Sequence, residues 1–549
     1  MVDLKKNIIN PDGSLSCPFP NYEPMNISMA EAFIGALSAH DGNLKALIDA
    51  ETERTVTFGE LNVLYKKISS SLVKMGCSEK EIICFFAPNC IEYVLMFVAC
   101  ITAGLTISPA NFAYTSYELK HQLKDCSASY VFTTSELLPT VRSSLNPNIK
   151  QIFISDDKNI PGCTSLHKMF TDDGSAFRGN NLHVNPNEDI AIIPYSSGTT
   201  GLPKGVEITH KNMTSILQAL SQPQYAPDYE PENANKLAFL PYFHAYGLQG
   251  TLVAGLFQGA TQIIFKRFIP DLFLDCIEKY RPHTLSLVPP IVNFLISYPR
   301  AKTIDFSSVK TVGSGAAPLT KETEREFLNI LKLPNLIQGY GLTETTVAVS
   351  YATLKFYKRG SSGLLIPNTH VKIVNPENQR VQGVKEAGEI WVKGPQVMKG
   401  YHKKPEATRN TLTKDGWLKT GDIGYFDEEG YIFVIDRIKE LIKYKGFQIA
   451  PAELESVILN HPKVLDVGVI GIPDDRAGEV PKAYVVKKDP SLKREEINDY
   501  VKERLTSYKQ LRGGISFVDE IPKSQSGKIL RRKLRERAIN ESKSTKSKL

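Results

Sequence analysis

The sequence lacks the features that mark membrane-spanning, secreted and zinc-binding proteins. Its longest apolar stretch, about residues 94–105, is too short to cross a bilayer, and no signal-peptide core follows residues 1–6. The eight cysteines are scattered without a CxxC pair, and several lie within apolar runs. We therefore expect reduced core cysteines, a reducing compartment, and neither a transmembrane segment nor a structural zinc site.

A strong charge of one sign is also missing from most of the chain. The formal net charge is +7, but residues 523–549 alone hold ten Lys/Arg against two Asp/Glu, a local charge of +8. The remainder is therefore close to neutral. No aromatic side chains are interleaved with this basic cluster, which favours a solvated helix face and an electropositive rim over a nucleic-acid site.

The order of apolar segments predicts the fold class. At 549 residues the chain should form two or more domains. The apolar run at Ile82–Phe86 predicts a buried strand. Strands alternate with helices, including helices that begin with capping boxes at Thr57 and Thr115, which is typical of an α/β sheet. Beyond about residue 355, short strands with Gly, Pro and Asn turns predict a β-rich subdomain. We expect a large N-terminal domain of α/β subdomains plus this β-rich subdomain, and a small α+β C-terminal domain.

The most informative segment is PYSSGTTGLPKG at residues 194–205, which follows an apolar run at 190–193. Glycine lets the backbone approach a polyphosphate, N–H groups and hydroxyls bind anionic oxygens, and Lys204 adds a cation. This is not a Walker A loop, because Pro203 precedes the lysine and Gly205 follows it. A flexible surface loop is the alternative, but the composition and the preceding strand favour phosphate binding.

Further motifs follow this loop in order. They are PYFHAYG at 241–247, GSGAAPL at 313–319, QGYGLTET at 338–345, GEI at 388–390, GWLKTGD at 416–422, DRIKELIKYKG at 436–446 and PKSQSGK at 522–528. In order and spacing they resemble the adenylate-forming superfamily of acyl- and aryl-CoA ligases, peptide-synthetase adenylation domains and beetle luciferases. Within this superfamily, the motif sequences most resemble those of the 4-coumarate:CoA ligase and luciferase branch.

The resemblance implies both a domain division and a reaction. Residues 1–435 would form the AMP-binding (adenylation) domain, residues 436–540 a mobile C-terminal domain, and residues 541–549 a disordered tail. ATP would convert a carboxylic acid into an acyl-AMP, and CoA would then take the acyl group as a thioester. The first step needs a phosphate cradle, Mg²⁺, a cation between carboxylate and α-phosphate, and a nucleoside pocket.

The resemblance also assigns the ATP site. Glu344 would ligate Mg²⁺, Tyr340 would stack on adenine, and Asp422 with Arg437 would bind the ribose hydroxyls. From the residues alone, Asp422 would be a turn residue and Thr343 a helix N-cap. The other expected ATP contacts are Ser196, Ser197, Gly198, Thr199, Thr200, Gly201, Lys204, Gly315, Ala316, Gln338, Gly339, Gly341, Thr343 and Lys528.

Four residues are expected, by resemblance, to take part in catalysis. Lys528 would contact both the carboxylate and the α-phosphate, although on its own it would be a surface charge. His244 would line the acyl channel near the carboxylate, and on its own would equally be a packed histidine. Asp436 would be the hinge about which the small domain pivots, so that Lys443 and Gln448 replace Lys528.

Substrate contacts are expected at two further groups of positions. By resemblance, an acyl pocket suited to an aliphatic or aryl tail is lined by His244, Tyr246, Ser314, Gly339, Val347 and Ala348. CoA phosphates would meet Arg267, Lys445 and Gly446. Beetle luciferases carry an arginine between the phosphate loop and the histidine loop that contacts luciferin, and this sequence has none between Gly205 and His244.

The sequence ends in Ser547, Lys548 and Leu549, the type 1 peroxisomal address read by a soluble import receptor. The polar run before it, residues 541–546, is expected to be disordered. We therefore predict a peroxisomal, ATP-dependent acyl-CoA ligase for a fatty or aryl acid. A luciferase-type monooxygenase on the same scaffold and a non-catalytic nucleotide-binding protein are the alternatives, disfavoured by the missing arginine and by the intact motifs, respectively.

Overall fold

The structure is a computed structural model of the chain. It describes residues 9–196, 203–222, 225, 234–317, 319–445, 447–474, 477–524 and 527–546, without the side chains of residues 180, 447, 448 and 542–546. The predicted phosphate-loop residues Ser197 to Gly201, the predicted CoA contact Gly446, and the tripeptide at residues 547–549 lie outside the described residues.

The described strands are numbered in chain order. They are β1 (Leu15–Ser16), β2 (Lys45–Asp49), β3 (Thr55–Thr57), β4 (Ile82–Phe86), β5 (Thr106–Pro109), β6 (Tyr130–Thr133), β7 (Gln151–Ile154), β8 (Cys163–Ser165), β9 (Ile190–Ile192), β10 (Tyr195–Ser196), β11 (Lys204–Thr209), β12 (Asn235–Ala238), β13 (Thr261–Ile264), β14 (Thr284–Leu287), β15 (Thr311–Ser314), β16 (Leu336–Tyr340), β17 (Ser350–Tyr351), β18 (Leu364–Leu365), β19 (His370–Val374), β20 (Gly388–Lys393), β21 (Gly400–Tyr401), β22 (Leu418–Phe426), β23 (Ile432–Arg437), β24 (Ile442–Tyr444), β25 (Phe447–Ile449), β26 (Val464–Asp474), β27 (Gly478–Lys487) and β28 (Ile515–Phe517).

The described α-helices are numbered in the same way. They are α1 (Met29–Ala39), α2 (Phe58–Lys74), α3 (Ile91–Thr102), α4 (Ser116–Asp125), α5 (Leu138–Arg142), α6 (Leu166–Met169), α7 (His210–Leu220), α8 (Ala254–Phe257), α9 (Pro270–Tyr280), α10 (Pro289–Ser297), α11 (Lys321–Leu331), α12 (Pro405–Thr411), α13 (Pro451–Leu459), α14 (Arg494–Arg504) and α15 (Arg531–Lys546). A π-helical stretch, Tyr246–Val253, leads directly into α8.

The first α/β subdomain is built on a sheet of order β10-β11-β9-β5-β4-β6-β7-β8, in which β9 to β8 run parallel. Every residue of α3 is buried, as expected for a helix that is apolar all round. Helix α2 begins as predicted, because Thr57 and Glu60 each bond the other's backbone N–H. The predicted strand at Ile82–Phe86 is confirmed at both ends.

Two further sheets have the orders β12-β13-β2-β3 and β14-β15-β16-β17-β18. Strands β12, β13 and β2 are parallel to one another, and so are strands β14, β15 and β16. Their apolar side chains share one buried cluster with helices α9, α10 and α11. The loops that carry the motifs at 241–247, 313–319 and 338–345 begin at the carboxyl ends of β12, β15 and β16, where α/β folds bind ligands.

The β-rich subdomain is an antiparallel sheet of order β1-β19-β20-β22-β23, and the small C-terminal unit has its own sheet, β25-β24-β27-β26, with β28 beside β27. The predicted fold class is confirmed. The expected boundary before Asp436 falls inside β23, because Asp436 and Arg437 still pair with Ile423 and Asp422 of β22. The first strand that belongs to the C-terminal sheet is β24.

The expectation of disorder from residue 541 is wrong for residues 541–546. Helix α15 continues to Lys546, and the Glu541 carboxylate accepts from Lys482 at 2.8 Å. This ion pair holds α15 to β27, a tertiary effect that a polar composition does not reveal, and the i,i+4 pair of Glu541 with Arg537 supports the helix itself. Among the described residues, no helix combines the length and apolar character that a membrane crossing requires.

Candidate active site

A cavity of about 1460 Å³ lies where the loops after the parallel strands meet the C-terminal unit. It gathers side chains and backbone from segments far apart in sequence. Predicted site residues that line it are Ser196, Lys204, His244, Tyr246, Ser314, Gly315, Ala316, Gly339, Tyr340, Gly341, Thr343, Glu344, Val347, Ala348, Arg437 and Lys528.

The predicted phosphate loop joins the two strands of a hairpin. Strand β10 pairs antiparallel with β11, so that Ser196 lies opposite Lys204 on either side of the loop. The ammonium of Lys204 lies 4.6 Å from the ring centroid of Tyr401, within cation–π range. Strand β21, which carries Tyr401, is hydrogen-bonded to β11. The hairpin is therefore tied to the β-rich part of the chain on one side.

Glu344 stands beside this hairpin in a one-turn 3₁₀ helix, Thr343–Thr345. Its Oε1 accepts hydrogen bonds from the Ser196 hydroxyl at 2.8 Å and from the Tyr401 hydroxyl at 3.0 Å. Within the described part of the chain, its Oε2 has no hydrogen-bond partner. The carboxylate is thus oriented by two hydroxyls through one oxygen and presents the other to the cavity side of the hairpin.

At the nucleoside end, three predicted residues are connected side chain to side chain. The Tyr340 hydroxyl donates to Asp422 Oδ2 at 2.8 Å, and Arg437 Nε lies 3.1 Å from Asp422 Oδ1. Burial raises the pKa of the Asp422 carboxyl, and Arg437 opposes this shift by stabilising the carboxylate. Asp422 itself lies behind Tyr340 and Arg437, so it holds both of them against the cavity wall.

Backbone geometry explains why small residues occupy several positions along this wall of the cavity. A Cβ on Gly341 would lie 1.9 Å from the Val347 carbonyl oxygen, so only glycine fits there. Ala316 has φ of +71°, which places its peptide groups in a left-handed turn at the cavity. Gln338, expected to contact ATP, is buried, and its amide bonds the backbone N–H and C=O of Leu319 instead. It therefore holds the backbone of Leu319 in place.

Lys528 reaches the centre of the cavity from the C-terminal unit. Burial lowers the pKa of its ammonium to about 8, and the nearby cation Arg437 acts in the same direction, while Asp422 and Glu440 oppose it. Its backbone N–H donates to the Ser524 hydroxyl at 3.1 Å. The predicted catalytic lysine therefore lines the cavity close to Arg437 and Asp422 and also close to His244.

His244 marks the acyl side of this junction. Burial lowers the pKa of its imidazole to about 4, and the positive charge of Lys528 adds to the effect. Its Nδ1 accepts from the Tyr246 backbone N–H at 3.3 Å. The imidazole is therefore neutral at physiological pH, with Nδ1 as the acceptor, and it borders the channel as an uncharged wall.

The predicted hinge residue connects the two parts of the chain. One Asp436 oxygen accepts from the Arg437 N–H at 2.7 Å and the other from Ala452 N–H, in the first turn of α13, at 3.0 Å. Arg531 of α15 pairs with Glu455 of α13 at 2.7 Å, and it stabilises the charge of Asp436. The small unit is therefore anchored at the hinge by buried charges.

Other predicted residues are not brought to the cavity. Lys443 and Lys445 are exposed on and just after β24, and Arg267 is exposed after β13. Gln448 lies on β25, with its side chain outside the description. In this structure the C-terminal unit presents Lys528, and not Lys443, to the cavity.

The AMP-binding enzyme family model matches residues 37–402, and the model of its C-terminal domain matches residues 453–528. The chain belongs to the AMP-binding enzyme family. It is therefore a member of the adenylate-forming superfamily, as its motifs predicted, and its large and small units correspond to the two family domains.

Relatives in this family agree with the assignment over nearly the whole chain. A 4-coumarate–CoA ligase of Arabidopsis thaliana is 35% identical over 98% of both chains. A peroxisomal OPC-8:0-CoA ligase of the same species is 36% identical over 95% of both chains. The crystal structure of ATP-bound MatB from Rhodopseudomonas palustris superposes with a TM-score of 0.82 and 26% identity, over 93% of this chain and 99% of MatB.

Sequence reasoning missed three residues of this family member's cavity. Tyr401 contacts both Glu344 and Lys204, although it lies 57 residues from Glu344 in the sequence. The only sequence signal for a site residue at this position was an aromatic residue next to Gly400. Lys236 and Gln258 also line the cavity and bond each other. A lysine within the short strand β12, beside two apolar residues, was the signal that could have pointed to this pair.

Proposed function

We propose that this protein is an ATP-dependent acyl-CoA ligase that converts a carboxylic acid to an acyl-AMP and then to a CoA thioester. The observation that carries the proposal is the position of Lys528. This buried ammonium lies beside the Tyr340–Asp422–Arg437 group on one side and His244 on the other. A cation at the junction of a nucleoside wall and an acyl channel is what carboxylate adenylation requires.

In the first half-reaction, a carboxylate oxygen attacks the α-phosphorus of ATP, and the bond to pyrophosphate breaks. Both reactants are anionic, so their approach is repulsive until a cation stands between them. Lys528 supplies that charge from a buried position, where it acts more strongly on the transition state than a solvated charge would. Neutral His244 adds no competing charge to the carboxylate, because its pKa lies well below physiological pH.

The residues beside the phosphate hairpin fit a divalent cation. Glu344 offers a hard oxygen to which no described residue donates, while the described residues hold no group of three or more His, Cys, Asp or Glu side chains that could bind a metal by themselves. Mg²⁺ is commonly held by one carboxylate together with phosphate oxygens of the nucleotide, which suits such a site. Bound there, Mg²⁺ would offset the negative charge of the triphosphate, while Lys204 and Ser196 orient its outer phosphates.

The second half-reaction needs a different arrangement of the same chain. The CoA sulfur attacks the acyl carbonyl carbon, and AMP leaves with the electron pair of the broken bond. Lys528 lines the cavity close to His244, so we expect it to withdraw before the thiol arrives. Rotation about Asp436 would remove Lys528 and bring the exposed face of β24, with Lys443 and Gln448, toward the cavity; Lys445 would then meet a CoA phosphate.

The substrate class and compartment form the finer part of the proposal. The relatives that are named as CoA ligases of 4-coumarate and of OPC-8:0 support an aryl or fatty acid as the substrate. The peroxisomal relative and the tripeptide at residues 547–549 support a peroxisomal location. Deleting Leu549 should leave catalysis unchanged and retain a fluorescent fusion in the cytosol; unaltered import would contradict this address.

Pyrophosphate release across a panel of short, long, branched and aryl acids tests the reaction. Release should require ATP, Mg²⁺ and an acid, the nucleotide product should be AMP, and CoA should accelerate turnover through thioester formation. Formation of ADP and phosphate would contradict the proposal, because cleavage would then lie between the β- and γ-phosphates. Reactions without acid measure background hydrolysis.

A further inference from the structure

The cavity continues past His244 along one face of a helix. Tyr246, Gly250, Ala254 and Gln258 recur every fourth residue from the π-helical stretch through α8, and all four line the cavity. Gly250 accommodates the Tyr246 ring, since a Cβ on Gly250 would lie 2.9 Å from Tyr246 Cδ2, and Ala254 is the small residue between Gly250 and Gln258 on the path along this face. At helical rise, the twelve-residue separation from Tyr246 to Gln258 corresponds to roughly 15 Å.

Lys236 closes the far end of this path. Its ammonium donates to Gln258 Oε1 at 2.5 Å, and both side chains line the cavity. In β12 it alternates with Leu237, which is buried in the core on the opposite face of the sheet. Its head group is therefore held at the cavity end by strand geometry and by one amide oxygen.

This lysine has no charge partner among the described residues. No described carboxylate lies within ion-pair distance of it, and burial alone lowers the pKa of its ammonium to about 8. Leaving an ammonium in a buried position without a counter-charge is costly, and methionine would fill the same volume at no such cost. An oxygen ligand delivered by the substrate would relieve this cost.

The wall of the cavity formed by β14 is also polar. Thr284 and Ser286 occupy alternate positions on β14 and line the cavity, whereas their neighbours Leu285 and Leu287 are buried in the core. Ser286 hydrogen-bonds the Tyr246 phenol. A plain alkyl terminus would meet an ammonium, an amide and hydroxyls here, which is an unfavourable match.

We propose that Lys236, together with Gln258, recognises an oxygen acceptor at the far end of the acid substrate. The preferred acceptor is a second carboxylate, and a ketone is the neutral alternative. The inference rests on the acyl-CoA ligase function proposed above and extends it to substrate class. The helical path of about 15 Å from Tyr246 to Gln258 sets the length scale, so we expect the preferred acid to carry roughly eight to twelve carbons between its two ends.

Three acids of equal length test the proposal: decanedioate, the corresponding acid with a terminal methyl ketone, and decanoate. Wild-type enzyme should show a kcat/KM for pyrophosphate release at least about tenfold higher with one of the two oxygen-bearing acids than with decanoate. Lys236→Met should lower the value for that acid by about 10- to 100-fold, mainly through KM, and leave decanoate unchanged or improved.

The crossover between acids separates recognition from misfolding, because a misfolded variant loses all three substrates together. Lys302→Met, at an exposed position on the surface, is the matched control and should behave as wild type. The ketone and the dicarboxylate arms identify which acceptor is preferred. A wild-type preference for decanoate, or an unchanged preference in Lys236→Met, overturns the inference.

Calorimetric titration of each acid into the protein without ATP tests recognition of the acid separately from the proposed ligase activity. Tighter binding of decanedioate or of the ketone acid that is lost in Lys236→Met supports the recognition even if no acid releases pyrophosphate, in which case only the ligase proposal fails. Equal binding of all three acids to both proteins overturns the recognition, whether or not turnover is seen.

Discussion

The charge of Lys528 should govern the pH dependence of acyl-AMP formation. Its ammonium is the form that acts, and burial together with Arg437 lowers its pKa from 10.5 to about 8. The ammonium predominates below that pKa and is lost as the pH rises through it. We therefore expect kcat/KM for adenylation to be level up to about pH 7 and to fall about tenfold per pH unit above about pH 8.

The fall should stop at the rate that remains when Lys528 contributes nothing. Losing one preorganised contact to the transition state costs about 10²- to 10³-fold, or roughly 2.7–4 kcal/mol, so Lys528→Ala should show that loss at neutral pH. The ionisation seen in kcat/KM is that of the free enzyme, so bound ATP does not shift it. Circular dichroism of Lys528→Ala checks that the variant is folded.

The assay is pyrophosphate release without CoA at limiting ATP, with an unsubstituted alkyl acid so that ionisation of Lys236 does not enter. Lys528→Arg is the decisive variant, because arginine keeps its charge throughout this range. It should be slower than wild type because its planar head group is misplaced, yet lack the alkaline fall. A fall at about pH 8 that persists in Lys528→Arg would refute Lys528 as its origin.

Three further predictions follow from the same geometry. Lys443→Ala should leave single-turnover acyl-AMP formation unchanged and slow thioester formation by about 10²-fold in quench-flow measurements; equal loss in both steps would contradict rotation about Asp436. Tyr401→Phe keeps the ring beside Lys204 but removes one hydrogen bond to Glu344, so kcat/KM for ATP should fall by about 3- to 10-fold, and an unchanged value at limiting Mg²⁺ would show that this bond has no role. Gly341→Ala should lower the free energy of unfolding in urea by about 1–3 kcal/mol because its Cβ meets the Val347 carbonyl, whereas Gly35→Ala, inside α1 with nothing within 4 Å, should be neutral or stabilising; similar values for the two would contradict the steric argument.

Local signals in the sequence were sufficient for many elements. The capping box at Thr57 and Glu60 depends on residues three apart, and the strand at Ile82–Phe86 depends on its own apolar run. Both predictions were confirmed because the interactions that decide them are local. The fold class and family followed from the order of motifs, which is likewise readable along the chain.

Contacts between distant segments were not readable in this way. The Tyr401–Glu344 bond joins β21 to a 3₁₀ turn, and the Lys236–Gln258 bond joins a strand to the end of a helix. Both depend on how sheets pack, which no local pattern specifies. The same is true of residues 541–546, where an ion pair with Lys482 retains a helix that the polar composition had led us to expect to be disordered.

The predicted hinge and the predicted nucleoside wall are adjacent in the chain, and this adjacency has a thermodynamic consequence. Asp436 caps α13, while the next residue, Arg437, pairs with Asp422. Any rotation at Asp436 must therefore alter the free energy of the Arg437–Asp422 pair. By linkage, a nucleotide that strengthens this pair favours one orientation of the small domain, and that orientation in turn binds the nucleotide more tightly. Loss of AMP and return of the small domain to its starting orientation are then two sides of one equilibrium.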